Sequence, residues 1–276
     1  MSVMAGGRPF VKMHGLGNDF VIVDARQAPF RPSAAEARAI ADRRRGVGCD
    51  QLIILEPTNE PDADVFMRIL NADGGEVEAC GNGTRCVASL LIAEAGRPVT
   101  VKTLGGLLAA VAGENGDVTV DMGPVRTGWR EIPLAEERDT LHLGLEMDEL
   151  RDPVGVNIGN PHAVFFVSDC ETVDLARLGP QLEHHPLFPE RANIGLATVR
   201  DRGHIRLRVW ERGVGITAAC GSGACAAAVA AARRGLTERR AVVIMDGGPV
   251  GIEWLPDGHV SMTGPVATSF RGELPL

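Results

Sequence analysis

The 276-residue sequence predicts an α+β fold built twice. Three observations carry that expectation. Residues 79–86 read ACGNGTRC and residues 219–225 read ACGSGAC, so a cysteine followed by Gly-x-Gly and a helix-like run occurs once in each half. Cys80 and Cys220 stand 140 residues apart, and other pairs recur at nearly that offset: Asn18 in GLGNDFVIVD with Asn160 in IGNPHAVFFVSD, and Met122-Gly123-Pro124-Val125 with Thr263-Gly264-Pro265-Val266. Between these landmarks run short apolar stretches separated by glycine turns, the pattern of strands. The expected architecture is two pseudo-symmetric domains, each a central helix wrapped by a mainly antiparallel β-sheet or barrel, with a site in the cleft between them. The first unit is expected over 8–125, joined by a C-terminal strand at 266–276, and the second over 126–265.

The elements follow in order. FVKMHGLGNDFVIVD reads as two strand-like runs around a glycine turn. Ser33 with Glu36 forms a capping box, opening a helix expected to run to about Arg45 and stop at Gly46. Strands are expected at Gln51–Leu55 and Asp64–Leu70, and a buried helix over Thr84–Ala95 that ends at Gly96. Val99–Val125 reads as two or three antiparallel strands, and the polar, proline-containing stretch 126–150 as a link. The second half repeats the scheme, with strands near 154–168, a helix around 174–185, strands near 195–210, a helix from about 223 to 234, and strands to the end.

Composition narrows the function. A net charge of −8 without a long basic run argues against a nucleic-acid partner. Arg43-Arg44-Arg45 and Arg233-Arg234 precede Gly46 and Gly235, where cations complement a helix C-terminus. MSVMAGGRPF has no apolar signal-peptide core, and no apolar run is long enough for a membrane span. Six cysteines without a secretion signal point to free thiols in the cytoplasm. Cys49, Cys86, Cys170 and Cys225 read as small buried residues. The spacings Cys80 to Cys86 and Cys220 to Cys225 do not match a Cys-x-x-Cys zinc site, and the G-x-G-x-x-A of GSGACA is broken in its duplicate, GNGTRC.

A cysteine at a helix N-terminus feels the positive end of the helix dipole, which stabilises its thiolate and lowers its pKa. The glycines after it leave first-turn N–H groups open to a carboxylate. Two such turns facing one amino acid supply two bases, one thiolate and one thiol, on opposite faces of its α-carbon. Inversion of that stereocentre needs no metal and no cofactor on this reading.

These residues resemble the diaminopimelate epimerase family nearly end to end. The matching segments are KMHGLGNDFVIVD, GCDQLIIL, NADGGEVEACGNGTRC, GNPHAVFF, RANIG and WERGVGITAACGSGACAAA. The resemblance implies a cofactor-independent two-base epimerase that interconverts LL- and meso-2,6-diaminoheptanedioate for lysine and peptidoglycan precursors. It implies Cys80 and Cys220 as the catalytic pair, and Asn18, Gln51, Asn71, Asn160, Asn193, Glu211 and Arg212 as substrate-binding residues. Gly81-Asn82 and Gly221-Ser222 fall on the carboxylate-binding turns. It also implies a homodimer, in which Phe270 takes a position often held by an aromatic residue. The residue chemistry suits a substrate with an amino-acid group at each end: Arg212 matches a distal carboxylate, Glu211 an ammonium, and the amides a zwitterion. His162 sits where it can position or tune a cysteine.

Three other readings compete. A proline or hydroxyproline racemase also uses paired cysteines, but a one-ended cyclic substrate has no need of Arg212 with Glu211. A non-catalytic amino-acid-binding protein on the same scaffold would tolerate loss of Cys80 or Cys220. A thiol redox protein would want a Cys-x-x-Cys, which is absent.

Overall fold

The computed structural model describes residues 7–78 and 80–275. Most of the N-terminal stretch read above as lacking a leader, residues 1–6, lies outside the described residues, as do Ala79 of the first cysteine motif and Leu276 of the C-terminal strand. The chain divides into two compact units, Met1–Val120 with Pro265–Leu276, and Asp121–Gly264.

In the first unit, β1 (Arg8–Gly15) and β2 (Asn18–Asp24) form a hairpin whose two-residue loop, Leu16 and Gly17, has φ of 57° and 81°. Positive φ at both loop residues matches the right-handed twist of the strands. It also places Asn18 at the mouth of β2. Helix α1 (Ala34–Ala41) leads to β3 (Gln51–Glu56), which runs parallel to β2. Strand β4 (Val65–Asn71) returns antiparallel and carries the short β5 (Glu76–Val77). Helix α2 (Gly81–Ala95) follows, then β6 (Val99–Thr103) parallel to β4, β7 (Gly106–Ala112) and β8 (Val118–Pro124), of which 118–120 belong to this unit. The C-terminal strand, Ala267–Leu274, pairs with β1. Helix α2 packs against β1, β2, β6 and β7. Its run Asn82–Ala88 is buried throughout, and Gly96 ends it with φ 65°. Only glycine adopts that left-handed cap without strain.

The second unit opens with the hairpin β9 (Glu146–Met147) and β10 (Leu150–Arg151). From there it repeats the first. Strands β11 (Val154–Asn157) and β12 (Pro161–Phe166) pair antiparallel, and α3 (Leu175–Glu183) intervenes before β13 (Asn193–Asp201). Strand β13 runs parallel to β12 with His162 opposite Asn193, as Phe20 stands opposite Gln51. Then come β14 (His204–Glu211), β15 (Gly215–Thr217), α4 (Gly221–Arg233), β16 (Arg240–Met245) parallel to β14, β17 (Gly248–Trp254) and β18 (His259–Gly264). Helix α4 is almost all alanine from Ala224 to Ala232. Alanine has the highest helix propensity, and its short side chain lets seven strands approach: α4 packs against β11–β14 and β16–β18. Each unit is thus a central helix wrapped by mainly antiparallel strands.

Three local expectations differ from the structure. Helix α1 stops at Ala41, not Arg45, because Asp42 turns extended and its carboxylate accepts the Arg44 and Arg45 amides. That side-chain bond competes with another helical turn. Arg43 does not cap the helix end; it reaches Asp19 and Asp50. Arg233 and Arg234 do stand at the C-terminal end of α4, as expected, and also tie it to Gly155, Thr140, Leu141 and Asp152. The stretch 126–150 is more than a link, since Ile132, Leu134, Leu143 and Leu145 belong to the buried cluster that α3 covers.

Candidate active site

Both cysteines cap the helices that follow them. Cys80 and Cys220 have extended backbone geometry, and each Sγ accepts the N–H of the residue three positions on, Gly83 at 3.4 Å and Gly223 at 3.3 Å. That is the bond an N-cap oxygen would normally accept. Space around the sulfur is tightest at Gly223, where a Cβ would lie 3.0 Å from Val209 and 3.1 Å from the Cys220 sulfur. One on Gly83 would lie 2.8 Å from Ile53.

In the first unit the Cys80 thiol reaches the Asn18 Oδ1 at 3.8 Å. Gln51 and Asn71 face each other across β3 and β4, and Gln51 Nε2 donates to Asn71 Oδ1 at 2.9 Å. The Gln51 Oε1 is buried and has no partner among the described residues. Gly81 is half-buried at the first turn of α2. Asn82 is buried, and its Oδ1 accepts from Arg85 at 2.8 Å, which directs that end of the amide into the unit.

In the second unit Cys220 is 5% exposed. Burial, then the negative charge of Glu211, push its thiol well above the ordinary range, against the hydrogen bonds from Ser222 and Gly223. The expectation of a lowered pKa is therefore reversed at Cys220: one helix turn does not offset full desolvation beside a carboxylate. Glu211 is raised for the same first reason, burial, moderated by hydrogen bonds from Thr217 and from the Cys220 thiol. Cys220 thus rests as a thiol beside the Glu211 carboxyl. His162, 1% exposed, has its ring nitrogen Nε2 at 2.9 Å from the Asn160 Oδ1 and 3.1 Å from the Ser222 hydroxyl. Burial, with the Arg212 charge nearby, lowers its pKa to about 3, so the ring is neutral at pH 7. Through Ser222, 3.6 Å from the Cys220 sulfur, His162 is linked to the thiol. Gly221 is half-buried at the first turn of α4.

Asn193 is buried and both ends of its amide are engaged: Nδ2 donates to the Pro161 carbonyl and Oδ1 accepts the Arg212 N–H at 3.0 Å. It holds the turn that carries Arg212. The Arg212 guanidinium is exposed, donates to the Glu190 carbonyl, and forms no ion pair among the described residues. Three supports escaped the sequence reading. Thr217 fixes Glu211. Glu183, 3% exposed, accepts from Trp210 Nε1 and the Gly213 N–H and so braces the same turn. Asp50, with Arg43, holds Asn18. Of the three only Asp50, beside Gln51, adjoins a residue singled out in the sequence.

Comparison with known proteins first defines the fold class. The chain shares its fold with a hydroxyproline epimerase from Agrobacterium vitis solved with bound trans-4-hydroxy-L-proline (TM-score 0.69, 18% identity, covering 99% of this chain and 92% of that one). It shares it equally with a probable proline racemase from Agrobacterium radiobacter K84 (TM-score 0.68, 18% identity, 98% and 93%). The family is narrower: the chain belongs to the diaminopimelate epimerase family, whose profile matches residues 10–128 and 154–269. A diaminopimelate epimerase of Rhodospirillum centenum is 62% identical over 268 residues, 97% of this chain and 92% of the relative. One of Acidiphilium cryptum is 56% identical, covering 98% of both chains.

Proposed function

We propose that this protein interconverts LL- and meso-diaminopimelate with Cys80 and Cys220 as its two bases and with no cofactor, in lysine and peptidoglycan precursor synthesis. The single observation that carries the reading is the duplicated cap: in each unit a cysteine sulfur sits at the first turn of the central helix, beside backbone N–H groups suited to a carboxylate. On this reading the repeat units, 8–125 with 266–276 and 126–265, carry one base each. One sulfur takes the proton from one face while the other thiol delivers a proton to the opposite face. Negative charge then moves toward the substrate carboxylate, where fixed N–H dipoles stabilise it without reorganising. Glu211 receives the Cys220 proton when that residue must become the base, which is a role for the raised pKa of both groups. The Gln51 Oε1 accepts from the substrate ammonium, and Asn71, Asn82, Asn160 and Gly221 line the amino-acid site. The unpaired, exposed Arg212 takes the distal carboxylate, which favours a two-ended substrate over proline or hydroxyproline.

The reading includes a cytoplasmic enzyme working as a homodimer, with Phe270, which is 49% exposed on the C-terminal strand, at the contact. Among the described residues no helix is long and apolar enough to cross a membrane. The direct experiment is incubation with LL-diaminopimelate in D2O without added cofactor. Meso product carrying one α-deuterium is expected. Turnover of proline or hydroxyproline in preference to diaminopimelate would overturn the substrate assignment.

A further inference from the structure

Behind Asn18 lies a set of charged groups that the proposed chemistry does not use. Asp50 Oδ2 accepts from Asn18 Nδ2 at 2.9 Å and from the Asp19 N–H at 3.0 Å, while its Oδ1 takes Arg43 Nη2 at 2.8 Å. Asp19 returns the clasp, accepting the Asp50 N–H at 3.0 Å. Asp19 in turn is held by Arg43 and by the buried Lys12, which also donates to the Gly48 carbonyl. Burial works to raise the Asp19 pKa, but bonds from Arg43, Lys12 and Asp50 take it far below the usual carboxylate range. Two carboxylates and two cations are thus locked together next to a residue that touches a proposed base.

An asparagine amide has a donor end and an acceptor end of the same shape, and only its partners decide which way it points. A carboxylate paired with a guanidinium offers acceptors alone. Asp50 therefore requires the NH2 of Asn18, and the Asn18 carbonyl oxygen is what remains to face the Cys80 sulfur. The reverse orientation would set oxygen against oxygen at Asp50 and aim an N–H at Cys80. A donor there stabilises the thiolate and weakens it as a base, whereas an acceptor keeps the proton on sulfur until substrate displaces it.

We propose that Asp50, held by Arg43, is a positioning residue that fixes the Asn18 amide so that its carbonyl oxygen, and not its NH2, faces Cys80. The inference rests on Cys80 being one of the two bases. The charged groups bonded to Asn18 or to its holders are Asp19, Asp50, Lys12 and Arg43, and Arg85 on α2 is bonded to Asn82. Asp19, the other carboxylate among them, is engaged by Lys12, Arg43 and the Asp50 N–H.

The test is the pH dependence of Cys80 alkylation by iodoacetamide, read from the mass of the Cys80 peptide, together with kcat/KM. In Asp50→Ala the amide is free to turn its NH2 to sulfur. The alkylation midpoint should then fall by about one pH unit and kcat/KM by about tenfold or more. Asp50→Asn offers one oxygen where Asp50 offers two to Asn18 and Arg43, and its midpoint should fall between those of the wild type and Asp50→Ala. A purely structural role would lower the melting temperature without moving the Cys80 midpoint. If Asp50→Ala does not fold, Asp50→Ser decides, because a hydroxyl accepts or donates and no longer fixes the amide. A folded Ala or Ser variant with the wild-type midpoint and kcat/KM within about twofold overturns the inference. Cys80→Ala separates the two failures. If it is inactive while Asp50 variants behave as wild type, only the inference falls; if it is active, the base assignment falls first.

Discussion

His162 and Arg212 show how a single side chain is set for its task. His162 is buried and neutral, with a pKa of about 3 in the folded chain against 6.5 in an unfolded one. The unfolded state therefore binds the extra proton between those values. The stability this residue confers is complete above about pH 6.5 and is lost as the pH falls toward 3. Its slope is at most about 1.4 kcal/mol per pH unit. Glu211, with its pKa raised by burial, has the opposite sign, so a variant comparison is needed to isolate His162. His162→Gln keeps a donor for Asn160, and its urea midpoint should change less between pH 6 and pH 4 than that of the wild type. An unchanged slope would mean that His162 is not held neutral. Arg212 invites a different measurement. Lysine keeps the charge but loses the planar two-point contact. Arg212→Lys should reduce kcat/KM for diaminopimelate by about ten- to a thousandfold, since a bidentate charged contact is worth roughly 1.5–3 kcal/mol or more. Turnover should fall along with affinity, because remote binding energy aligns the reacting carbon. Unaltered kinetics would remove the distal-carboxylate role.

At the scale of elements, the Cys-Gly-x-Gly turn and α3 are the critical pieces. A methyl group on Gly223 would crowd the Cys220 sulfur at 3.1 Å, closer than the 3.5 Å from a Gly83 methyl to the Cys80 sulfur. Gly223→Ala should therefore lower turnover by about tenfold or more, since small misplacement of a reacting group is costly. Gly83→Ala meets mainly the end of the Ile53 side chain, which can yield, and should lose less activity. The reverse order in steady-state assays would show that sulfur placement is not what these glycines protect. Helix α3 packs Gly179 onto the Trp210 ring, where a Cβ would approach to 2.5 Å. Trp210 in turn bonds Glu183, which braces the Gly213 turn. Gly179→Ala should destabilise the protein by about 1–3 kcal/mol in denaturant titration, the usual effect of overpacking. Much of this level was legible beforehand. The Ser33 capping box, the Gly96 stop and both cysteine helices follow from local chemistry that a single chain displays. The early end of α1 was not legible, because Asp42 decides it with a side-chain bond that competes with the helix. Nor was the destination of Arg43, which depends on two carboxylates brought in from β2 and the start of β3.

For the whole molecule, duplication explains why the sequence says so much. The pairing of β2 with β3 is reproduced by β12 with β13, and that of β4 with β6 by β14 with β16. A motif seen twice carries its own control, which is why Cys80 and Cys220 stood out from the other four cysteines. Those four gave no such signal, and burial raises Cys49 to about 11, Cys86 to about 12, and Cys170 as well. What the repeat hid is the difference between its halves. Cys80 stands by an asparagine oxygen fixed by carboxylates, and Cys220 stands by a carboxylate and a neutral imidazole. The sequence offered one rule, a lowered pKa at a helix N-terminus, and desolvation overrides it at Cys220. Two-base inversion predicts that both sulfurs are indispensable despite these unlike surroundings. The measurement that tests this most directly is turnover of LL-diaminopimelate in D2O by Cys80→Ala and by Cys220→Ala, with circular dichroism to confirm folding. Each variant should be folded and should form no meso product above background. Near wild-type formation of deuterated meso product by either one would contradict the two-base account.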